Sequence, residues 1–133
     1  MKRRRFLMLL AGAGALASAG CSTVADARAE RGTGVIVNYA APFDRIWAAL
    51  PEILKDLGLK VAGDNMAEGY MLVDNGASAF SWGERVAIFV ERIGTRGNSR
   101  VEVVSKAALG MNITAADWAK SIHDALAQRF KRL

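Results

Sequence analysis

The sequence predicts an α+β domain, in which two helices pack on one face of an antiparallel sheet of four to five strands. The predicted order is β-α-β-β-β-β-α. Strand-like runs follow one another across short turns, which favours antiparallel pairing. Two long helical patterns, one at each end of the strand run, each carry one apolar stripe that needs a surface to cover. The chain has 133 residues, of which 52% are hydrophobic, enough for one packed domain.

The first predicted elements are a strand and a helix. Val35–Tyr39 is β-branched and aromatic, which is typical of a strand. Between Pro42 and Gly58 apolar residues recur three or four positions apart, and this spacing indicates a helix with one buried stripe. Proline suits the first helical turn and glycine suits the left-handed end. Pro51 lies inside this pattern and predicts a kink or two abutting helical pieces.

The middle of the chain contains two short predicted strands and a loop. Residues 59–62 and 69–73 are apolar enough for strands, and the polar residues 63–65 between them predict a tight turn. Residues 75–83 are mostly small and polar, and they predict a loop.

A hairpin and a terminal helix complete the predicted domain. Residues 85–91 and 100–105 alternate in polarity around a glycine-containing turn, which predicts a hairpin with one buried face. Apolar residues four apart predict a helix from about 115 to 130. Thr114 with Asp117 three residues later resembles a capping box at its start.

The first twenty residues have the pattern of an export signal peptide. Lys2–Arg5 is a basic stretch, and Phe6–Gly20 is a 15-residue apolar and small-residue run. As a helix this run would span roughly 22 Å, short of a hydrocarbon core of roughly 30 Å. Arg3–Leu7 resembles the core of a twin-arginine signal, which exports folded proteins, and the general export route remains the alternative.

Cys21 is the only cysteine and directly follows Ser18–Gly20. This order resembles a bacterial lipobox, in which small residues precede a cysteine that receives acyl chains such as palmitate. Ala17–Ala19 also satisfies the rule for ordinary cleavage after Ala19, which would release a periplasmic protein. We expect lipidation, because the lone cysteine falls where lipidation requires it. Ser22 favours the outer membrane, with the domain facing the periplasm.

The sequence therefore divides into a signal peptide (1–20), a polar tether (21–34) and one domain (35–133). Basic residues at positions 2–5 carry most of the net charge of +5, since 14 Lys and Arg face 13 Asp and Glu from Cys21 onward. A nearly neutral domain lacks the basic surface of a nucleic-acid binder, so nucleic acid is not an expected partner.

The helix and the strands after it carry a family resemblance. The order is a helix, a strand, a polar turn and a second strand. The residues that carry the resemblance are Ala41–Trp47, Leu54–Val61, Asp64 and Glu68–Tyr70. This stretch, roughly residues 36–73, resembles a helix-grip module of the C-subunit lipoprotein of the outer-membrane β-barrel assembly machine. That subunit has two such modules and this chain has one. The resemblance implies a helix-grip-like fold and an envelope setting.

A weaker resemblance is to the START-like lipid and polyketide carriers, which wrap a longer sheet around a deep pocket. The chain shares with them a strand that ends in Ala-Pro before a helix with Trp47. This resemblance implies an apolar ligand as an alternative partner.

The residue inventory predicts no catalytic residue, metal site or cofactor. One cysteine and one histidine cannot form a disulfide or a usual zinc site. His123 and Asp124 are adjacent on the last helix and point about 100° apart, so they cannot orient one another.

Phe80 and Trp82 are the candidate interface residues, because no helix or strand periodicity accounts for two aromatics in the loop 75–83. Their alternative role is to cover an open edge of the core.

Taken together, these features predict a non-enzymatic, lipid-anchored envelope domain that binds a protein or an envelope component. The alternative is a small periplasmic carrier of an apolar ligand. The membrane is the first expected partner, through acyl chains at Cys21, and an envelope protein is the second. The sequence does not specify the oligomeric state.

Overall fold

The computed structural model describes residues 29–74, 85–106 and 117–133. Its elements follow the predicted order β-α-β-β-β-β-α. They are β1 (Val35–Tyr39), α1 (Phe43–Asp56), β2 (Lys60–Asn65), β3 (Tyr70–Asp74), β4 (Arg85–Ile93), β5 (Asn98–Lys106) and α2 (Trp118–Arg129). Within these ranges, no helix combines the length and the apolar character needed to cross a membrane.

The strands form one antiparallel sheet in the order β1-β5-β4-β3-β2, which confirms the predicted fold class. The register places Val37 opposite Val101, and Ile88 opposite both Val103 and Met71. These side chains share one face, because successive residues of a strand point to opposite faces. The β4–β5 hairpin lies at the centre of the sheet and turns through Gly94 and Gly97, both at positive φ.

Both helices pack on this face and form the main core with it. Among the described residues, twenty buried apolar side chains make up the cluster, and Ile46, Leu50 and Leu54 of α1 are fully buried in it. Ile122 and Leu126 bring α2 to the same layer. The apolar stripes that predicted the two helices are therefore the surfaces that cover the sheet.

The opposite face of the sheet, which we call the back face, is also partly buried. Ala87 and Phe89 of β4 are 6% and 3% exposed, and they form a second apolar cluster with Val104 and with half-buried Tyr70 and Leu72. The prediction of one buried face is therefore wrong for β4. Val86 to Val90 is a continuous apolar run, as expected for a central strand that is covered on both sides.

Two local predictions differ from the structure. The turn after β2 lies at residues 66–69 and not at 63–65, because Asn65 accepts hydrogen bonds from the backbone N–H groups of Glu68 and Gly69. Helix α1 runs through Pro51 as one element and not as two pieces. Pro51 is exposed while Leu50 is fully buried, so the packing of the stripe holds the helix together across the missing backbone bond.

Helix α2 begins after Asp117, whose carboxylate accepts a hydrogen bond from the backbone N–H of Lys120 at 3.0 Å. Asp117 is therefore the N-cap itself. Thr114 and the start of the helix predicted near residue 115 lie outside the described residues.

Candidate functional site

The three predicted site residues, Cys21, Phe80 and Trp82, lie outside the residues that the structure describes. The structure does describe residues 29–34, the last part of the predicted tether. It also describes the strands on either side of the predicted interface loop, which end and begin at Asp74 and Arg85. The candidate site is therefore built from the residues that connect these predicted positions to the domain.

Residues 29–34, which we call the N-terminal segment, are attached to the back face of the sheet by Glu102 of β5. One carboxylate oxygen of Glu102 accepts hydrogen bonds from the backbone N–H of Gly32 at 2.6 Å and of Gly34 at 3.0 Å. Glu102 is only 5% exposed. Removing a carboxylate from water is costly unless donors replace the lost water, and these two amides supply them.

Arg31 makes a second, weaker attachment on the same face. Its guanidinium carbon lies 5.3 Å from the centroid of the Phe89 ring, and its Nη2 lies 3.5 Å from a carboxylate oxygen of Glu91. Both partners of this ion pair are about half exposed, so the pair contributes at most about 1 kcal/mol. We call Arg31, Gly32, Gly34 and Glu102 the clasp, and its principal bonds are those of Glu102.

Gly34 allows the segment to lie flat on β5. A Cβ atom at this position would overlap the backbone carbonyl of Val103 and a methyl group of Val104. Gly32 has φ +95°, a left-handed conformation that L side chains rarely adopt. In the Gly-Thr-Gly sequence before β1, the first glycine thus permits the left-handed backbone conformation and the second permits the close contact with β5.

Sequence reasoning missed this attachment. The alternation of β5 assigns Glu102 to the polar face, together with Arg100, and nothing in that pattern indicates burial. The available signal was the pair of glycines at 32 and 34, which offer backbone amides without side chains. A glutamate within an apolar strand needs such donors.

A surface groove of about 370 Å³ lies between the two helices, on the side of the domain away from the back face. Its lining combines apolar and charged side chains: Ile53, Leu57, Ala125, Asp56, Ser121, Asp124, Gln128 and Arg129. The mixture suits the polar and apolar side chains of a protein surface better than a purely apolar ligand.

Ion pairs border this groove. Arg129 donates to Glu52 at 3.2 Å, and Asp124 accepts from Lys120 at 2.6 Å and from Arg132 at 3.2 Å. The hydrogen bond from Arg129 lowers the pKa of Glu52, and the hydrogen bond from Lys120 lowers the pKa of Asp124. These carboxylates are therefore charged at neutral pH.

His123 connects α2 to β1 inside the domain. Its Nε2 donates to the backbone carbonyl of Val35 at 2.9 Å, which leaves Nδ1 to accept from the Tyr39 hydroxyl at 2.8 Å. Tyr39 is 0% exposed and His123 is 2% exposed. Both ring nitrogens thus bond to protein atoms, and the geometry gives this histidine a structural role.

Burial is the main influence on the pKa values of His123 and Tyr39. It lowers the pKa of His123 below the ordinary 6.5, against the opposing effect of the bond to Val35, and raises the pKa of Tyr39. Arg132 and Asp124 act on the His123 pKa in opposite directions. Among the described residues, no three His, Cys, Asp or Glu side chains converge as a metal site would require.

We expect the free energy of unfolding to decrease as the pH falls from above 6.5 to the lowered pKa of folded His123. The unfolded chain binds the proton first in this window, so stability rises with pH, by at most about 1.4 kcal/mol per pH unit. Chemical denaturation between pH 8 and pH 5 measures this slope. In His123→Gln, whose side chain does not titrate, the slope should be smaller, and an equal slope in both proteins would contradict the assignment.

The chain matches no protein-family model, and no curated protein matches it. The function must therefore be inferred from the chain's own residues.

Proposed function

We propose that the protein is a lipid-anchored, non-enzymatic domain of the bacterial envelope that binds a protein or another envelope component. The observation that carries the proposal is the position of Cys21, directly after the small residues that end an export signal and 11 residues before Gly32. Ser22 favours the outer membrane, with the domain on its periplasmic side.

The energetics of acyl chains make this a durable attachment. Each buried methylene contributes about 0.8 kcal/mol, so one acyl chain binds a membrane only marginally while two or three bind it for long periods. Bacterial lipoproteins typically carry three chains on the N-terminal cysteine. A domain anchored in this way would remain on its membrane and meet its partners there.

The clasp supports the proposal because it attaches the end of the tether to the domain. A short tether restricts a domain only if its far end is fixed, and Glu102 fixes that end at Gly32 and Gly34. Anchoring also raises the effective concentration of partners on the same membrane. Small contact surfaces, such as the loop with Phe80 and Trp82 or the groove between the helices, are then sufficient for binding.

The alternative, a carrier of an apolar ligand, requires an apolar cavity between the helices and the sheet. The buried side chains of the main core that the structure describes pack together in that layer. The groove of about 370 Å³ lies instead between the helices, and Asp56, Asp124 and Arg129 belong to its lining. These observations favour a protein partner over an apolar ligand.

Replacing Cys21 by Ala should move the protein from the membrane fraction to the soluble fraction, because the acyl chains lose their attachment atom. Fractionation followed by mass spectrometry of the N-terminal peptide measures both effects. Ser22→Ala is the matched control, since it leaves Cys21 in place and should stay in the membrane fraction. A soluble wild-type protein that begins at Gly20 would contradict lipidation and establish cleavage after Ala19.

The double variant Phe80→Ala and Trp82→Ala should abolish partner capture while leaving thermal stability nearly unchanged, if these aromatics are interface anchors. Crosslinking in membranes, followed by purification of the full-length protein, measures capture, and thermal unfolding measures stability.

The same variant distinguishes the alternative role of this loop. If Phe80 and Trp82 cover the core, the variant should be destabilised by several kcal/mol, since removing one buried aromatic typically costs about 3–5 kcal/mol. Unchanged capture together with unchanged stability would contradict both roles.

A further inference from the structure

We propose that the back face of the sheet lies toward the phospholipid headgroups of the membrane and that the two helices, with the groove between them, face away. This orientation rests on the proposed lipidation of Cys21. It follows from where the clasp fixes the chain and from how little chain separates that point from the lipid.

The clasp determines the point at which the tether leaves the domain. Gly32 and Gly34 are bonded to Glu102 on the back face, and Arg31 lies over Phe89 on the same face. The tether therefore does not leave from the end of β1 at Val35. Its origin is on the surface of the sheet that the helices do not cover.

The length of the tether then limits the orientations that the domain can adopt. Gly32 lies 11 positions after Cys21, and a fully extended chain of that length spans at most about 40 Å. A flexible coil of the same length has an end-to-end distance of roughly 18 Å. Both values are to be compared with the size of the domain.

A compact domain of about 105 residues is expected to be roughly 33 Å across. A path from the back face, over the side of the domain and down to a membrane beneath the helices, is then roughly 43 Å long. This path is about as long as the fully extended tether. With the clasp closed, the outer side of the helices can rest on the membrane only if the tether is fully stretched, whereas the back face can do so with an unstretched tether.

The exposed residues of the back face are compatible with a headgroup surface. Ile36, beside the clasp on β1, is 48% exposed, and Arg100 of β5 is exposed on the same face. Apolar and cationic side chains both suit the boundary between headgroups and acyl chains. Exposed Asp74 and Glu91 offset part of the positive charge, so the tether, and not charge, sets the orientation.

Site-specific fluorescence quenching tests this orientation in the full-length lipidated protein. Three variants, each with one introduced cysteine, provide the labelling sites: Arg100→Cys on the back face, and Ala48→Cys and Ala127→Cys on the exposed sides of α1 and α2. Acylated Cys21 has no free thiol, so a thiol-reactive dye labels only the introduced cysteine. The proteins are reconstituted in vesicles of phosphatidylethanolamine and phosphatidylglycerol that carry a nitroxide quencher on the lipid headgroup.

We expect the dye at position 100 to be quenched at least about twofold more than the dyes at positions 48 and 127. The helices lie on the opposite side of a domain roughly 33 Å across, so the helix labels lie well beyond the range of a headgroup quencher. Equal quenching at the three positions, or stronger quenching on the helices, would overturn the orientation.

Failure of the orientation is distinguishable from failure of the proposed anchor. Flotation with the vesicles and the mass of the N-terminal peptide report the anchor before any quenching is measured. A protein that floats with an acylated Cys21 and shows no preference for position 100 overturns the orientation alone. A protein without acyl chains overturns both proposals.

Discussion

A buried carboxylate determines where the N-terminal chain lies on this domain. Glu102 is 5% exposed, and its oxygen is bonded to the amides of Gly32 and Gly34. A carboxylate in such a position needs hydrogen-bond donors. At position 34 a side chain would overlap Val103 and Val104, and at position 32 the backbone has φ +95°, which L side chains rarely adopt. The glutamate and the two glycines are therefore interdependent: the glutamate requires the donors, and the donors require glycine.

The central hairpin explains why this attachment matters for the whole domain. Strand β4 is buried on one face by the helices and on the other within the cluster of Ala87, Phe89 and Val104. A continuous apolar strand is stable only when both of its faces are covered. At the edge of the sheet, β1 is fixed on the helix side by the bonds of His123 to Val35 and Tyr39. The N-terminal part of the domain is thus attached both to helix α2 and to the back face of the sheet.

The predictable part of the fold was the part with a local pattern. Val35–Tyr39 forms the predicted strand with the predicted bounds, and the stripe that ends before Gly58 forms the predicted helix. The turn after β2 was misplaced because its signal is the hydrogen bond from the backbone N–H of Glu68 to the side chain of Asn65, which the polarity of residues 63–65 does not reveal. The back face was missed because Glu102 and Gly32 are 70 positions apart, and no local period connects them.

The candidate site also has a part that the sequence predicts and a part that only the structure reveals. Lipidation at Cys21 and the interface role of Phe80 and Trp82 remain predictions from the sequence, and they lie outside the described residues. The clasp could come only from the structure, because it depends on which strand passes beneath the N-terminal segment. The clasp defines the point at which the predicted tether leaves the domain. From this point we infer which face of the domain lies toward the membrane.

The attachment of the N-terminal segment by Glu102 can be measured by amide hydrogen exchange at Gly32 and Gly34, followed by NMR in the full-length protein. We expect both amides to exchange as slowly as those in neighbouring β1. In Glu102→Ala both should exchange quickly while the amides of β4 stay protected, which separates loss of the clasp from unfolding. Exchange of Gly32 and Gly34 in the wild-type protein at the rates of an unstructured chain would contradict the clasp and the orientation that depends on it.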